Sequence, residues 1–238
     1  GALFMKTLQD EVEARGYKVV HIKTDSIKIA NPDDYILDYV KTFGELYGYE
    51  FELECIYERF CLVNDAVYIA KYDDQGIRNK GGKHAGEWTA TGAQFAEPYV
   101  FKTLFSHEPI IFKDKCQVKS CSTAFYIDYN EGLPEGEHDY HFVGRVGQFC
   151  PIKPGCGGGV LYRENKDEAK ERFSAATGTK GYLWLESQYV KAMGKEDDID
   201  DSYYRKLVDA AVTDISKYGD FDWFVGSTDI SSFEYVVD

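Results

Sequence analysis

Apolar positions recur at helical spacing from Leu3 to Arg15. Leu3, Phe4, Leu8 and Val12 fall near one face, and Gly16 follows as a C-terminal cap. The runs 17–23 and 26–29 alternate and are rich in β-branched residues, and they are joined through Thr24-Asp25, which predicts a tight hairpin. Asn31-Pro32-Asp33-Asp34 supplies an N-cap, a proline at the first helical position and two acids in the first turn. The helix it opens is expected to reach about Tyr47, with Ile36, Leu37, Val40, Phe43 and Leu46 as its buried stripe and Gly48 as its stop. The segment 51–57 alternates apolar and polar residues, and 60–63 and 66–72 flank the turn-prone pair Asn64-Asp65, so three further strands are expected. Residues 1–72 therefore read as an α+β unit, an antiparallel sheet with helices on one face.

The pattern changes at Asp73. Residues 73–86 hold four glycines and no periodicity, which marks a loop and a domain boundary. Beyond it the chain reads as a mixed α/β region, 73–238. A short helix is expected from Glu97-Pro98 to Phe105, short strands at 110–112, 124–127 and 141–146, and helices at about 183–193 and 203–218. Ser202 would cap the last of these, whose apolar face is Tyr204, Leu207, Val208, Ala211 and Ile215. No internal repeat is visible.

Composition supports a packed core: 44% of the 238 residues are hydrophobic and 16% aromatic. Apolar runs are too short for a membrane span, and the N-terminus lacks the basic flank of a signal peptide, so a cytoplasmic protein with no membrane partner is expected. Six cysteines in a chain of this size read as reduced thiols, with Cys55 and Cys61 filling strand cores. The net charge of −14 argues against general nucleic-acid binding, but the last 44 residues alone carry 4 Lys/Arg against 12 Asp/Glu. An acidic tail can coexist with a basic groove elsewhere.

Nucleotidyl transfer needs divalent cations held by carboxylates, which activate a hydroxyl and stabilise the leaving pyrophosphate. A hairpin tip presents such a carboxylate rigidly and in the open, and Asp25 has that placement. On spacing alone, an aspartate in a hairpin turn is turn chemistry. The run 21–29, His-Ile-Lys-Thr-Asp-Ser-Ile-Lys-Ile, resembles the third palm motif of family B DNA polymerases, an aromatic-x-Asp-Thr-Asp-Ser hairpin. The helix before it and the helix and glutamate-alternating strand after it fit that order. The run 60–68 takes the place of the family's Lys-Lys-x-Tyr strand pair and keeps only Tyr68. Further on, 88–92, 98–101 and 177–186 are similar to segments of phage family B-like polymerases.

The resemblance implies a palm remainder (1–72) and a thumb-like region (73–238), entered through a basic glycine-rich linker at 73–86. It implies Asp25 as a Mg²⁺ ligand, primer-template DNA and dNTP as partners, and template-directed nucleotidyl transfer. The motif's first aspartate is Lys23 here. The family's other palm aspartate and its fingers helix would precede residue 1, so the chain is expected to be a fragment or split subunit, inactive by itself and completed by the remainder of the polymerase. The alternative is a non-catalytic, polymerase-derived interaction protein in which Lys23 marks lost chemistry.

Arg78, Lys80 and Lys83, with His84, lie among glycines and are candidates for contact with the DNA backbone. Lys180 in Thr-Gly-Thr-Lys-Gly is a further phosphate candidate, at the opening of an expected helix. Trp184 and Tyr189 in that helix read as core. The pairs Cys116/Cys121 and Cys150/Cys156, with His138 and His141 between them, have zinc-binding side chains at spacings wider than usual, so no zinc is expected. The acids 196–201 read as complements to the N-terminus of the following helix.

Overall fold

The computed structural model describes residues 2–74, 84–130 and 133–226. It divides into two compact units: residues up to Ala96 together with those from Val212 onward, and Glu97–Ala211. The fold is α+β, and every strand ladder among the described residues is antiparallel.

In the first unit, helix α1 (Ala2–Ala14) ends at Gly16, whose φ of +87° suits a residue without Cβ. Its buried residues are Met5, Leu8 and Val12, at i, i+3 and i+7. Leu3, expected on that stripe, is 81% exposed. Five residues of helix separate it from Leu8, which turns it toward solvent. Strands β1 (Val19–Ile22) and β2 (Ile27–Ile29) form the expected hairpin. Helix α2 (Asp34–Leu46) starts two residues later than the sequence implied. Pro32 disfavours helical backbone at Asn31, which takes φ +47°, and the cap passes to Asp33, whose Oδ1 accepts the Ile36 N–H at 3.0 Å. Ile36, Val40 and Phe43 are buried, whereas Leu46 is exposed.

Residues 51–56 are not a strand, and the strand that follows begins at Tyr57. Only Cys55 makes an isolated bridge, and the Phe51 ring stacks with Phe4 at 6.2 Å over the α1–α2 core. Strands β3 (Tyr57–Asn64) and β4 (Val67–Tyr72) pair as expected about the 64–65 turn. The third strand of this sheet is β5 (Trp88–Ala90), which pairs with Ile69–Lys71 of β4. The glycine-rich run thus lies between two paired strands, so the compact unit extends to Ala96 and does not stop at residue 72. The sheet is also distinct from the β1–β2 hairpin, where one continuous sheet was expected. Helix α3 (Ala93–Ala96) follows β5 and buries Phe95.

The second unit opens with α4 (Pro98–Phe101), which continues as a wider turn through Lys102–Ser106, matching the expected helix at 97–105. The segment expected as a strand at 110–112 leads into a 3-10 turn, Phe112–Lys115. The other two strand candidates lie within long strands, β6 (Gln117–Asp128) and β7 (Tyr140–Ile152). Strands β8 (Val160–Glu164), β9 (Phe173–Ala175) and β10 (Leu183–Glu186) complete a five-stranded sheet of order β10-β7-β6-β8-β9. The helix expected at 183–193 is therefore a strand followed by a shorter helix, α5 (Ser187–Ala192). Leu-Trp-Leu at 183–185 is short and apolar, and such a run fits a buried strand as well as a helix.

Helix α6 (Asp201–Ser216) matches its expected stripe: Tyr204, Ala211 and Ile215 are buried and Leu207 and Val208 half-buried. Its first N–H groups are met by Asp200, not Ser202, through an Oδ1 that accepts from Ser202 N at 3.0 Å. Helix α7 (Phe221–Gly226) belongs to the first unit.

The five-stranded sheet curls so that its edge strand β10 meets the start of β8. Gly159 and Trp184 exchange two backbone hydrogen bonds, of 2.9 and 2.7 Å, joining the start of β8 to β10. The enclosed core includes Phe125, Phe149, Ile152, Leu161, Trp184 and Tyr204. A Cβ on Gly159 would stand 2.5 Å from Ile127 Cγ2 and 2.6 Å from the Asp128 carbonyl oxygen. Gly159→Ala is expected to destabilise the protein by about 1–3 kcal/mol, measured as a lower urea midpoint with an unchanged m-value.

Candidate functional site

The hairpin that carries Asp25 is held from both faces. Because strand side chains alternate, Ile22, Ile27 and Ile29 enter the α1–α2 core, while His21 and Lys28, which are cross-strand partners, face the other way. His21 is buried, and its Nε2–H donates to the Asp65 carbonyl in the β3–β4 turn at 3.1 Å. Lys28 Nζ lies 5.2 Å from the centroid of Tyr68 on β4 and 5.9 Å from that of Phe60 on β3. The tip is closed by Lys23 N–H donating to Ser26 O at 2.9 Å. Lys23, Thr24 and Asp25 are exposed, and the Asp25 carboxylate is in no hydrogen bond or ion pair among the described residues.

Electrostatics at the tip centre on Lys28. Burial, reinforced by the like charge of Lys23, pushes its ammonium below the ordinary lysine range, and Glu54 and Asp25 oppose that shift. Two cations and two carboxylates therefore share this end of the hairpin. Behind it the β3–β4 surface is aromatic: Phe60 stacks with Tyr68 at 5.2 Å, Tyr57 lies 5.7 Å from Phe60 and 5.1 Å from Tyr72, and Tyr72 stacks with His84 at 5.5 Å. Burial raises the Tyr57 hydroxyl pKa, with a hydrogen bond to Cys55 adding to it.

The sequence placed Asp25 and Lys23 at a hairpin tip and Tyr68 on a strand after the 64–65 turn, and all three have those positions. Arg78, Lys80 and Lys83 lie outside the described residues. Lys180 is in a turn that leads into β10, so there is no helix N-terminus at which it could help hold an anion. Trp184 is buried core, but in a strand, and Tyr189 is exposed. Among the described residues, no group of three or more His, Cys, Asp or Glu side chains could hold a metal ion. Cys116 and Cys150 are buried with their sulfurs 3.5 Å apart, while His138 pairs with Asp128 at 2.8 Å and His141 with Asp139 at 3.0 Å. Cys61 is buried in β3, where burial pushes its thiol up to about 11, as suits a core filler; Cys55 is half-buried and lies outside the named strands.

Sequence reasoning missed His21, Lys28 and Glu54. The alternation Ser-Ile-Lys-Ile already set Lys28 on the face opposite Ile27 and Ile29, so that signal was present. Nothing in the sequence brings Glu54 to the same place.

A buried arginine ties α7 to the β3–β5 sheet. Arg59 is 5% exposed, and its Nη1 donates to the carbonyls of Trp223 and Phe224, the latter at 3.0 Å, near the C-terminal end of α7. Its guanidinium also lies 4.7 Å from the Trp223 ring centroid, and Phe224 meets Trp88 of β5 edge-on at 5.3 Å.

No protein-family model matches the chain, and no curated protein matches it.

Because the folded state holds Lys28 with a depressed pKa, the unfolded chain binds more protons below the ordinary lysine value, and stability rises as pH climbs toward about 10. Lys28→Met removes that desolvation. The variant is expected to unfold at higher urea than the wild type at pH 7, with the gap narrowing as pH rises toward the ordinary lysine pKa of about 10.

Proposed function

We propose that the chain is the palm remainder and thumb-like region of a family B-like DNA polymerase, acting in template-directed nucleotidyl transfer. The observation that carries the reading is the free Asp25 carboxylate at the tip of a hairpin whose two faces are packed against helices and sheet. A carboxylate held in this way meets the requirement of a metal ligand: its oxygens are open, its backbone is constrained, and no cation among the described residues already neutralises it by direct contact.

Mg²⁺ prefers oxygen ligands and commonly takes one or two protein carboxylates together with substrate phosphates, so Asp25 fits as one ligand of a shared site. When bound, the metal supplies activation of the primer hydroxyl and charge neutralisation at the leaving pyrophosphate. Asp25 holds it from the hairpin side, and the second carboxylate comes from the remainder of the polymerase, beyond this chain. Lys23 and Lys28 place positive charge beside that position, where a primer or triphosphate oxyanion would be attracted. Tyr68 stands on the strand next to the hairpin, as a primer contact would. Arg78, Lys80 and Lys83 supply backbone grip on primer-template DNA.

One observation favours a second reading. Lys23 adds a cation where a metal site would gain an anion, which suits a non-catalytic interaction protein derived from a polymerase. Primer extension separates the two. In the complete enzyme, Asp25→Asn is expected to reduce extension of a primed template by about three orders of magnitude, with the affinity for primer-template in a gel shift changed less than about threefold. Undiminished extension by Asp25→Asn sinks the metal assignment. Extension by the present chain alone in Mg²⁺ sinks the shared-site reading.

A further inference from the structure

The second unit contains a cleft of about 460 Å³ that the polymerase reading does not use. Its origin is an irregularity in β6. The register with β7 passes from Ser120↔Val146 to Phe125↔Gly144, so residues 121–124 of β6 stand opposite the single Arg145. On the other side the ladder with β8 begins only at Phe125↔Arg163. Cys121, Ser122 and Thr123 line a notch in the sheet together with residues of the 163–170 segment and with Lys119, whose Nζ donates to Thr177 O at 3.2 Å.

The lining is cationic in a chain of net charge −14. It includes Lys119, Arg163, Lys166 and Lys170 against Glu164 and Asp167, an excess of two positive charges. Both acids are already engaged: Glu164 accepts from Arg172 Nε at 3.4 Å, and Asp167 lies 4.0 Å from Lys170 and accepts from Ala169 N at 3.0 Å. Arg163 and Lys166 are in no ion pair among the described residues. Lys119 is half-buried, its pKa lowered by burial, with Glu97 opposing that shift. Ser122 adds a hydroxyl, whereas the Thr123 hydroxyl already donates to the Glu164 carbonyl.

We propose that this cleft binds a small phosphate monoester, held by Arg163, Lys166 and Lys119 and by the Ser122 hydroxyl of the β6 bulge. The volume is that of a small-molecule site. The excess of two positive charges matches the charge of nearly −2 on a monoester at pH 7 and exceeds the −1 of a phosphodiester. A planar guanidinium and ammonium groups are the side chains that recognise such an oxyanion. The monoester could be a free mononucleotide or the 5′-phosphate of a nucleic acid strand, which share the chemistry. The assignment does not rest on Asp25, and none of its variants touches the first unit.

Calorimetric titration of the full chain with thymidine 5′-monophosphate, and with thymidine as the uncharged control, tests it. The monophosphate is expected to bind with a Kd below about 1 mM and thymidine to give no heat. Arg163→Gln with Lys166→Gln should weaken the monophosphate at least about tenfold without moving the urea midpoint, since both side chains are exposed. Parallel titrations with 5′-phosphorylated and 5′-hydroxyl decathymidylate identify the source. Variant-sensitive preference for the phosphorylated strand supports a strand end, and binding of the mononucleotide but neither strand supports a free ligand. The proposal is overturned if the monophosphate fails to bind, if thymidine binds equally, if the double variant binds as well as the wild type, or if both decamers bind equally through Arg163 and Lys166.

Discussion

The constraint on which the candidate site depends is the alternation of side chains along a β-strand. In the β1–β2 hairpin, one set of residues, Ile22, Ile27 and Ile29, is committed to the helices α1 and α2, and the other set, His21 and Lys28, to the β3–β4 hairpin. A strand buried on both faces has little freedom to slip, because a shift of one residue would exchange isoleucines with a histidine and a lysine. The tip is the part of the hairpin left over from these commitments. Its exposure, and the absence of a partner for Asp25 among the described residues, follow from that arrangement.

Placing Lys28 on an aromatic surface is unfavourable for an ammonium by desolvation and favourable by cation–π contact with Tyr68 and Phe60. Asp25 and Glu54 help keep it charged. The same cation would draw an oxyanion toward the hairpin tip, so a feature that costs stability also shapes what the tip can bind. Arg59 shows the contrasting solution. Its charge is buried more deeply, and carbonyls at the end of α7 take up its donors, which converts a desolvation cost into a tie between the C-terminal helix and the β3–β5 sheet.

In the second unit a single close approach plays the corresponding part. The sheet curls because β8 and β10 meet at Gly159 and Trp184, where there is no room for a side chain at Gly159. The bulge in β6 opens a cleft beside the core of that sheet, and positive charge collects around it. Closure and cleft arise from the same sheet, one by perfect backbone pairing and the other by its interruption.

The sequence by itself determined the elements whose signal is local. Periodic apolar spacing marked α1, α2 and α6, alternation marked the β1–β2 hairpin and the turn-prone pair Asn64-Asp65 the β3–β4 hairpin, and together they put Asp25 and Lys23 at a tip and Tyr68 on a strand. It misread Leu183–Glu186, since a short apolar run carries no period, and it broke the first unit at residue 72, since glycine content does not reveal that β5 returns to β4. Tertiary structure alone decided the meeting of Lys28 with Glu54, the use of Arg59 to hold α7, the closure through Gly159 and the cationic cleft at the β6 bulge. Each of these joins residues distant in the chain through packing and pairing, and such contacts leave no local pattern to read.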